Sequence, residues 1–259
     1  MSTDDKTKNW YNDNAVGYTA HVRNPNDSIY HAYYEKPAMY SLLPDLKGKR
    51  VLSLGCGSGE DSIYLKQQGA NESVGIDISP ELIKIAEASY TDCKFEVMNM
   101  EQLIFPDNSF DFVYSSLAIH YIEDWTKVFQ EAYRVLKPNS YFQFSCAHPV
   151  RTAMVVTEDT DNQQIRQLAI IKQKQPKSVE IIGNYMDRRK LADGLGALAD
   201  VTTWHKPISE MINEANNAGF LVERFLEPKP LEGMKQISER DYIRLNKIPE
   251  FIIFRMIKI

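Results

Sequence analysis

A chain of 259 residues with 43% hydrophobic side chains can bury a real core, which excludes global disorder and suits one sizeable domain. A formal net charge of -5 removes the usual electrostatic basis for gripping a phosphate backbone, so nucleic acid is disfavoured as a partner. Three widely spaced cysteines, Cys56, Cys93 and Cys146, argue against a disulfide framework and a zinc cluster, and no metal site is expected. The polar opening MSTDDKTKNWYND lacks the apolar run of a signal peptide. No stretch approaches the roughly 18 apolar residues of a membrane helix, so a cytoplasmic protein is expected, monomer or homodimer.

Residues 1–45 are rich in tyrosine (Tyr11, Tyr18, Tyr30, Tyr33, Tyr34, Tyr40) and read as a partly helical lead-in, followed by a turn at Lys47-Gly48-Lys49. Strand and helix then alternate. Arg50–Leu54 is a short, mostly apolar strand running into a glycine loop, and Glu60–Gln68 is a helix closed by Gly69. Ser73–Asp77 is a second strand. Ser79 caps the next helix with Pro80 at its first position, where a missing N–H costs nothing. Lys94–Met98 and Phe110–Ser115 are the third and fourth strands. Between Asp124 and Leu136, Trp125, Val128, Phe129, Ala132, Val135 and Leu136 share one helical face. Lys137-Pro138-Asn139 ends that helix, and Tyr141–Cys146 is the fifth strand. This order predicts an α/β fold, a doubly wound and mostly parallel sheet with helices on both faces. Its ligand site lies at the carboxyl ends of the strands.

From Val150 to Trp204 the rhythm breaks into a polar stretch with Gln163, Gln164, Gln167, Gln173 and Gln175. Residues 150–205 read as an insertion after the fifth strand rather than a separate domain. The core then comprises 46–149 and 206–259. In its second part Ser209–Ala218 is a helix with Gly219 as its stop, and Phe220–Leu226 and Phe251–Ile257 are the last strands.

The segment Leu52-Ser53-Leu54-Gly55-Cys56-Gly57-Ser58-Gly59 leads from the first strand into a helix N-terminus, and Asp77 ends the next strand. Glycines let the backbone turn tightly and let a ligand approach closely. A carboxylate at the second strand's end can accept hydrogen bonds from both hydroxyls of a ribose. A dinucleotide site requires G-x-G-x-x-G, or alanine in the sixth place, but that place holds Glu60, which repels a pyrophosphate. A cofactor with a sulfonium and an amino-acid tail tolerates it. A purely structural glycine turn is the remaining alternative.

VLSLGCGSGEDS followed by VGIDIS resembles the first two motifs of class I S-adenosylmethionine-dependent methyltransferases, and NMEQLIFPDNSFDFVYSSLAIHYIED and RVLKPNSYFQFS resemble later ones. The likeness spans residues 48–146 and is greatest to the members that methylate small molecules. It implies a Rossmann-like methyltransferase fold with seven strands, the last antiparallel, and S-adenosyl-L-methionine as cofactor. It also implies roles: Gly55, Gly57 and Gly59 against the methionine part, Asp77 on the ribose, Ile78 on the adenine, and Met100 and Glu101 flanking that ring. Asn99 stands where the family usually has Asp, and its carbonyl can still accept from the adenine amino group. Ser115, Ser116 and Leu117 would face the methyl end. The lead-in would form a helical lid bearing Tyr18, whose ring suits a sulfonium, and the insertion would cover the acceptor pocket.

Methyl transfer requires alignment of donor and acceptor, exclusion of water and, for some acceptors, removal of a proton. His120 and His148 follow the fourth and fifth strands and are the candidate catalytic bases; packing at a helix start and turn formation beside Pro149 are their structural alternatives. His205 reads as structural. Arg151, Arg188 and Arg189 either bind an anionic acceptor or form a solvated face. Glu60 and Asp61 read as helix-start charges. Besides a small-molecule methyltransferase, an enzyme acting on tRNA or protein and a non-catalytic S-adenosylmethionine-binding protein both fit these residues.

Overall fold

Seven strands form one sheet: β1 (Arg50–Leu54), β2 (Glu72–Asp77), β3 (Lys94–Val97), β4 (Phe110–Ser115), β5 (Leu136–Ala147), β6 (Phe220–Leu226) and β7 (Phe251–Lys258). In the computed structural model, which describes residues 5–158, 164–173, 177–191 and 201–259, their spatial order is β6-β7-β5-β4-β1-β2-β3. The pairs β1–β2, β2–β3, β1–β4 and β4–β5 are parallel, and β7 runs antiparallel to both neighbours. Doubly wound, mostly parallel and seven-stranded, the sheet is the one expected. Gln163 and Gln175 of the polar stretch lie outside the described residues.

Alternate side chains of each strand feed two cores, as the period of two demands. On one face Leu52, Leu54, Val113, Phe142 and Phe144 pack with Val128, Phe129 and Ala132 of α6 (Thr126–Val135) and with Met211 and Ala215 of α8 (Ile208–Asn217). On the other, Val51, Phe112, Tyr114 and Ile253 meet Met39 of α3 (Lys36–Ser41) and Leu65 of α4 (Glu60–Gln67). Because both faces are covered, β1 and β4 are buried almost without a break, Ser53 and Ser115 included, rather than at alternate positions. The Ser79 hydroxyl accepts from Leu82 N–H at 3.3 Å and so caps α5 (Pro80–Ser89).

Most boundaries lie within a residue or two of expectation; the start of β5 and the β6–β7 connection differ more. β5 begins at Leu136 rather than Tyr141, because Leu136 is already extended and pairs with Phe110. Residues 137–139 then bulge, with Asn139 at φ +61°, before pairing resumes at Tyr141. Two short helices, α9 (Gly233–Ile237) and α10 (Glu239–Leu245), fill the β6–β7 connection, where Met234 and Leu245 pack on Tyr34 and Phe251.

The lead-in is helical: α1 (Asp5–Asp13), α2 (Ala15–Arg23), a π-helical turn (His31–Glu35) and α3. Both α1 and α2 pack against α5. Between β5 and α8 lie α7 (Pro149–Ala153) and three antiparallel pairs: Val155–Glu158 with Gln164–Gln167, Ala169–Gln173 with Ser178–Ile182, and Arg189–Leu191 with Thr203–His205. This segment is fastened to the rest by Thr202 N–H on Thr7 Oγ1 (2.9 Å) and by Arg188 on Glu210 (2.8 Å) and Glu214. Lys206 is wholly buried, paired with Glu214 and 4.5 Å from the centre of the Trp125 ring.

Candidate active site

A cleft opens where the carboxyl ends of β1, β2 and β4 meet, with α1 and α2 contributing Thr7, Tyr11 and Tyr18 to its wall. About 650 Å3 of non-atom space lies within it, open solvent at its mouth included. The floor is the glycine bend. Gly55 has φ +65°, and a Cβ there would lie 2.4 Å from the Cβ of Ala118. Gly57 has φ +54° and faces the Tyr18 ring, 3.7 Å from a notional Cβ. Gly59 caps α4 in the left-handed conformation, but its notional Cβ meets the ring of Phe95 at 2.8 Å, so it packs backwards rather than lining the cleft.

Asp77 links the bend to β2. Its Oδ2 accepts from Gly57 N–H at 2.9 Å and its Oδ1 from Ser79 N–H at 2.9 Å. Burial pushes this carboxyl upward; the N–H groups of Ser79, Gly57 and Ile78 pull it back without cancelling that. A carboxylate offers about four lone-pair positions, so two N–H bonds leave room for a pair of hydroxyls. Ile78, Leu82, Met98 and Met100 make an apolar slot beside it. Asn99 lines the same slot, with its Oδ1 accepting Glu101 N–H at 2.9 Å in an Asx turn; the second lone pair stays available. The Glu101 side chain is not part of the wall.

Three tyrosines face one another across the cleft. The hydroxyls of Tyr11 and Tyr121 are 2.5 Å apart, and the Tyr11 ring stands edge-on to Tyr18 (centroids 5.1 Å) and Tyr121 (5.6 Å). Burial pushes all three hydroxyls up, Tyr121 to about 12, so they remain neutral phenols. Electron-rich rings in a half-buried wall favour a cation. Of these only Tyr18 was expected from the sequence.

At the end of β4 the wall is Ser116, Leu117 and Ala118. Ser115 sits behind it, its hydroxyl donating to Leu54 O at 3.0 Å and tying β4 to β1. The two candidate bases do not reach the wall. His120 is 2% exposed in the turn Ile119–Tyr121, neither ring nitrogen has a partner among the described residues, and burial drives it down to about 3. His148 is equally buried; its Nδ1 accepts Val150 N–H at 3.1 Å, capping α7, and its Nε2 lies 3.0 Å from Glu227 Oε1. Both nitrogens are occupied in holding β5 to its surroundings. His205 is also engaged at both nitrogens, by Thr152 Oγ1 (2.6 Å) and Tyr185 O (2.9 Å).

The arginines are likewise engaged. Arg151 pairs with Glu250 at 2.6 Å, Arg188 with Glu210 and Glu214, and Arg189 with the carbonyls of Asn184 and Thr152. Glu60 and Asp61 anchor the lead-in to α4: Arg23 meets Glu60 at 2.6 Å, and Tyr40 and Lys36 meet Asp61 at 2.6 and 3.2 Å. Among the described residues no group of three or more His, Cys, Asp or Glu side chains is placed to hold a metal, and no helix is long and apolar enough to cross a membrane.

The bend fits a nucleoside carrying a sulfonium. Gly55 and Gly57 leave backbone exposed where a side chain would fill the cleft, Asp77 keeps free lone pairs, and Glu60 opens α4 where a pyrophosphate would sit. Comparison with known proteins agrees. A family model described as a methyltransferase domain matches residues 52–144. An uncharacterized protein of Haemophilus influenzae is 29% identical over 202 residues, 75% of this chain and 76% of that one. The demethylmenaquinone methyltransferase of Listeria monocytogenes is 32% identical over 123 residues, 45% of this chain; the chain spans about half (51%) of its length. The S-adenosylmethionine dependent methyltransferase of Mesorhizobium loti shares the fold with a TM-score of 0.73 at 24% identity, over 90% of this chain and 100% of that one.

Proposed function

The chain belongs to the class I S-adenosylmethionine-dependent methyltransferases and takes S-adenosylmethionine as its cofactor, and from that premise we propose that it methylates a small-molecule acceptor. The observation that carries this reading is the shape of the cleft. Its wall is closed on one side by the tyrosines of α1 and α2, so an acceptor would approach the cofactor through a cleft rather than across an open surface. The net charge of -5 supports a small acceptor over a nucleic acid.

The bound cofactor supplies a methyl carbon made electrophilic by its sulfonium. In this reading Asp77 holds the ribose hydroxyls, Ile78, Met98 and Met100 flank the adenine with Asn99 at its edge, and Gly55 and Gly57 accommodate the amino-acid tail. Tyr11, Tyr18 and Tyr121 would offer their rings to the sulfonium and help exclude water. The lead-in acts as a lid, and the insertion would border the acceptor side at Thr202, which donates its N–H to Thr7 of the cleft wall. With Arg151, Arg188 and Arg189 already paired, an uncharged acceptor is favoured over an anionic one. The test is turnover: purified protein with S-adenosylmethionine and a panel of metabolites, scored by release of S-adenosylhomocysteine. Turnover of a neutral small molecule is expected; turnover confined to tRNA or protein would overturn the reading.

A further inference from the structure

Methylation of an O–H or N–H group that ends in a neutral product releases a proton, and neither histidine stands at the cleft wall to receive it. Glu35 does stand behind that wall. It ends the π-helical turn and is wholly buried; such turns are frequent at functional sites. Its Oε1 accepts from the Ser116 hydroxyl at 3.0 Å and from the Ser145 hydroxyl at 2.5 Å. Ser145 Oγ in turn accepts Leu117 N–H at 3.0 Å, holding Leu117 at φ +48°, a conformation rare for a leucine. Ser116 and Leu117 both line the cleft. The other oxygen, Oε2, is buried with no hydrogen-bond partner among the described residues. Leaving a buried charged acceptor bare costs stability, so its retention calls for a functional reason.

We propose that Glu35 is the proton acceptor of the transfer reaction, a positioning residue that reaches the methyl acceptor through the Ser116 hydroxyl. The proposal rests on the methyltransferase reading above. The bond between hydrogen and the acceptor atom breaks, and the proton passes to Ser116 Oγ as that hydroxyl's own proton moves to Glu35 Oε1. The freed electron pair forms the bond to the methyl carbon, whose bond to sulfur breaks with its pair left on sulfur as a neutral thioether. The same carboxylate, through Ser145 and Leu117, keeps the wall in the shape that presents Ser116.

The groups around Glu35 leave it free to change charge near neutrality. Burial, and then Asp61 on α4, raise it; the hydroxyls of Ser145 and Ser116 and the Lys36 ammonium on α3 lower it, leaving it at about 7. Lys36 and Tyr40 on α3 both engage Asp61. Tyr114 on β4 is raised by burial and stays a neutral phenol, and burial holds His31 in the π-helical turn neutral at about 4.

The test compares proton release when S-adenosylmethionine and S-adenosylhomocysteine bind, measured calorimetrically in buffers of different ionisation enthalpy. The two differ by the methyl group and the sulfonium charge, so the effect of the ribose on Asp77 is common to both and cancels, and the comparison of wild type with E35Q separates the charge effect on Glu35 from that on Asp77. A positive charge entering the cleft lowers a nearby buried carboxyl by about one unit, which at pH 7 releases about 0.4 proton more with S-adenosylmethionine. Glu35→Gln should abolish that excess and Glu35→Asp should keep part of it. Equal excess in wild type and E35Q overturns the proposal. If E35Q does not fold, the wild-type excess must peak near pH 7 and fade by pH 5 and pH 9; a flat profile is contrary. Failure of both compounds to bind would instead remove the cofactor reading, and this proposal with it.

Discussion

Two corners of the same sheet behave differently. At the β1–β2 corner the residues that matter are close in sequence: the glycine bend opens α4, and Asp77 receives Gly57 N–H and Ser79 N–H from either side. At the β4–β5 corner they come from far apart: Glu35 from the lead-in meets Ser116 and Ser145, while the histidines that follow the strands turn away from the cleft. The first corner is a backbone device, built from conformations only glycine adopts readily. The second is a side-chain device, built from buried hydrogen bonds. Binding the cofactor is assigned to the first, handling the proton to the second.

Substitutions can break that division. The largest effect is expected for Gly55→Ala, where a Cβ at φ +65° would lie 2.4 Å from Ala118. We expect a loss of ~3 kcal/mol in urea denaturation and no detectable S-adenosylhomocysteine binding. Next comes the β4–β5 corner. Glu35 is held at about 7 against an ordinary 4.5, so the folded protein binds its proton more tightly than the unfolded chain does. Stability contributed there is present at low pH and is lost as pH rises from about 4.5 to 7, by up to ~3 kcal/mol. Urea titrations at pH 5 and pH 8 should show wild type losing ground to Glu35→Gln; an unchanged difference would remove the buried carboxyl from the account.

Smaller effects sharpen the comparison. His148→Ala should cost ~1 kcal/mol through the lost α7 cap and Glu227 contact, yet leave S-adenosylhomocysteine affinity within a factor of about two. Tyr11→Phe should do the reverse, with little change in stability and about fivefold weaker cofactor binding from the lost bond to Tyr121. If His148→Ala abolished cofactor binding, the separation of the corners would fail.

The sequence made the first corner legible because its signals are local. Glycine spacing, the Ser79 cap, the acid at position 77 and the apolar face of α6 each depend on near neighbours, and the strand–helix order followed from them. The second corner depends on which way side chains point and on partners far along the chain. That His120 follows β4 says nothing about the rotation of its turn, which buries the ring. That Glu35 belongs to the site becomes visible only when the π-helical turn is laid across the ends of β4 and β5. Tyr11 was hidden among other tyrosines for the same reason, since only its meeting with Tyr121 distinguishes it. The short helices α9 and α10 and the strand pairs between β5 and α8 carry too few residues each for a periodic pattern to show.

The central claim is that the bend from Gly55 to Gly59, with Asp77, seats a nucleoside thioether. Isothermal titration of the wild-type protein and Asp77→Ala with S-adenosylhomocysteine, beside a pyrophosphate-bearing dinucleotide, tests it most directly. We expect saturable heat with the thioether, about 50-fold weaker binding in Asp77→Ala and none with the dinucleotide. Heat with the dinucleotide alone, or equal affinity in both proteins, would contradict it.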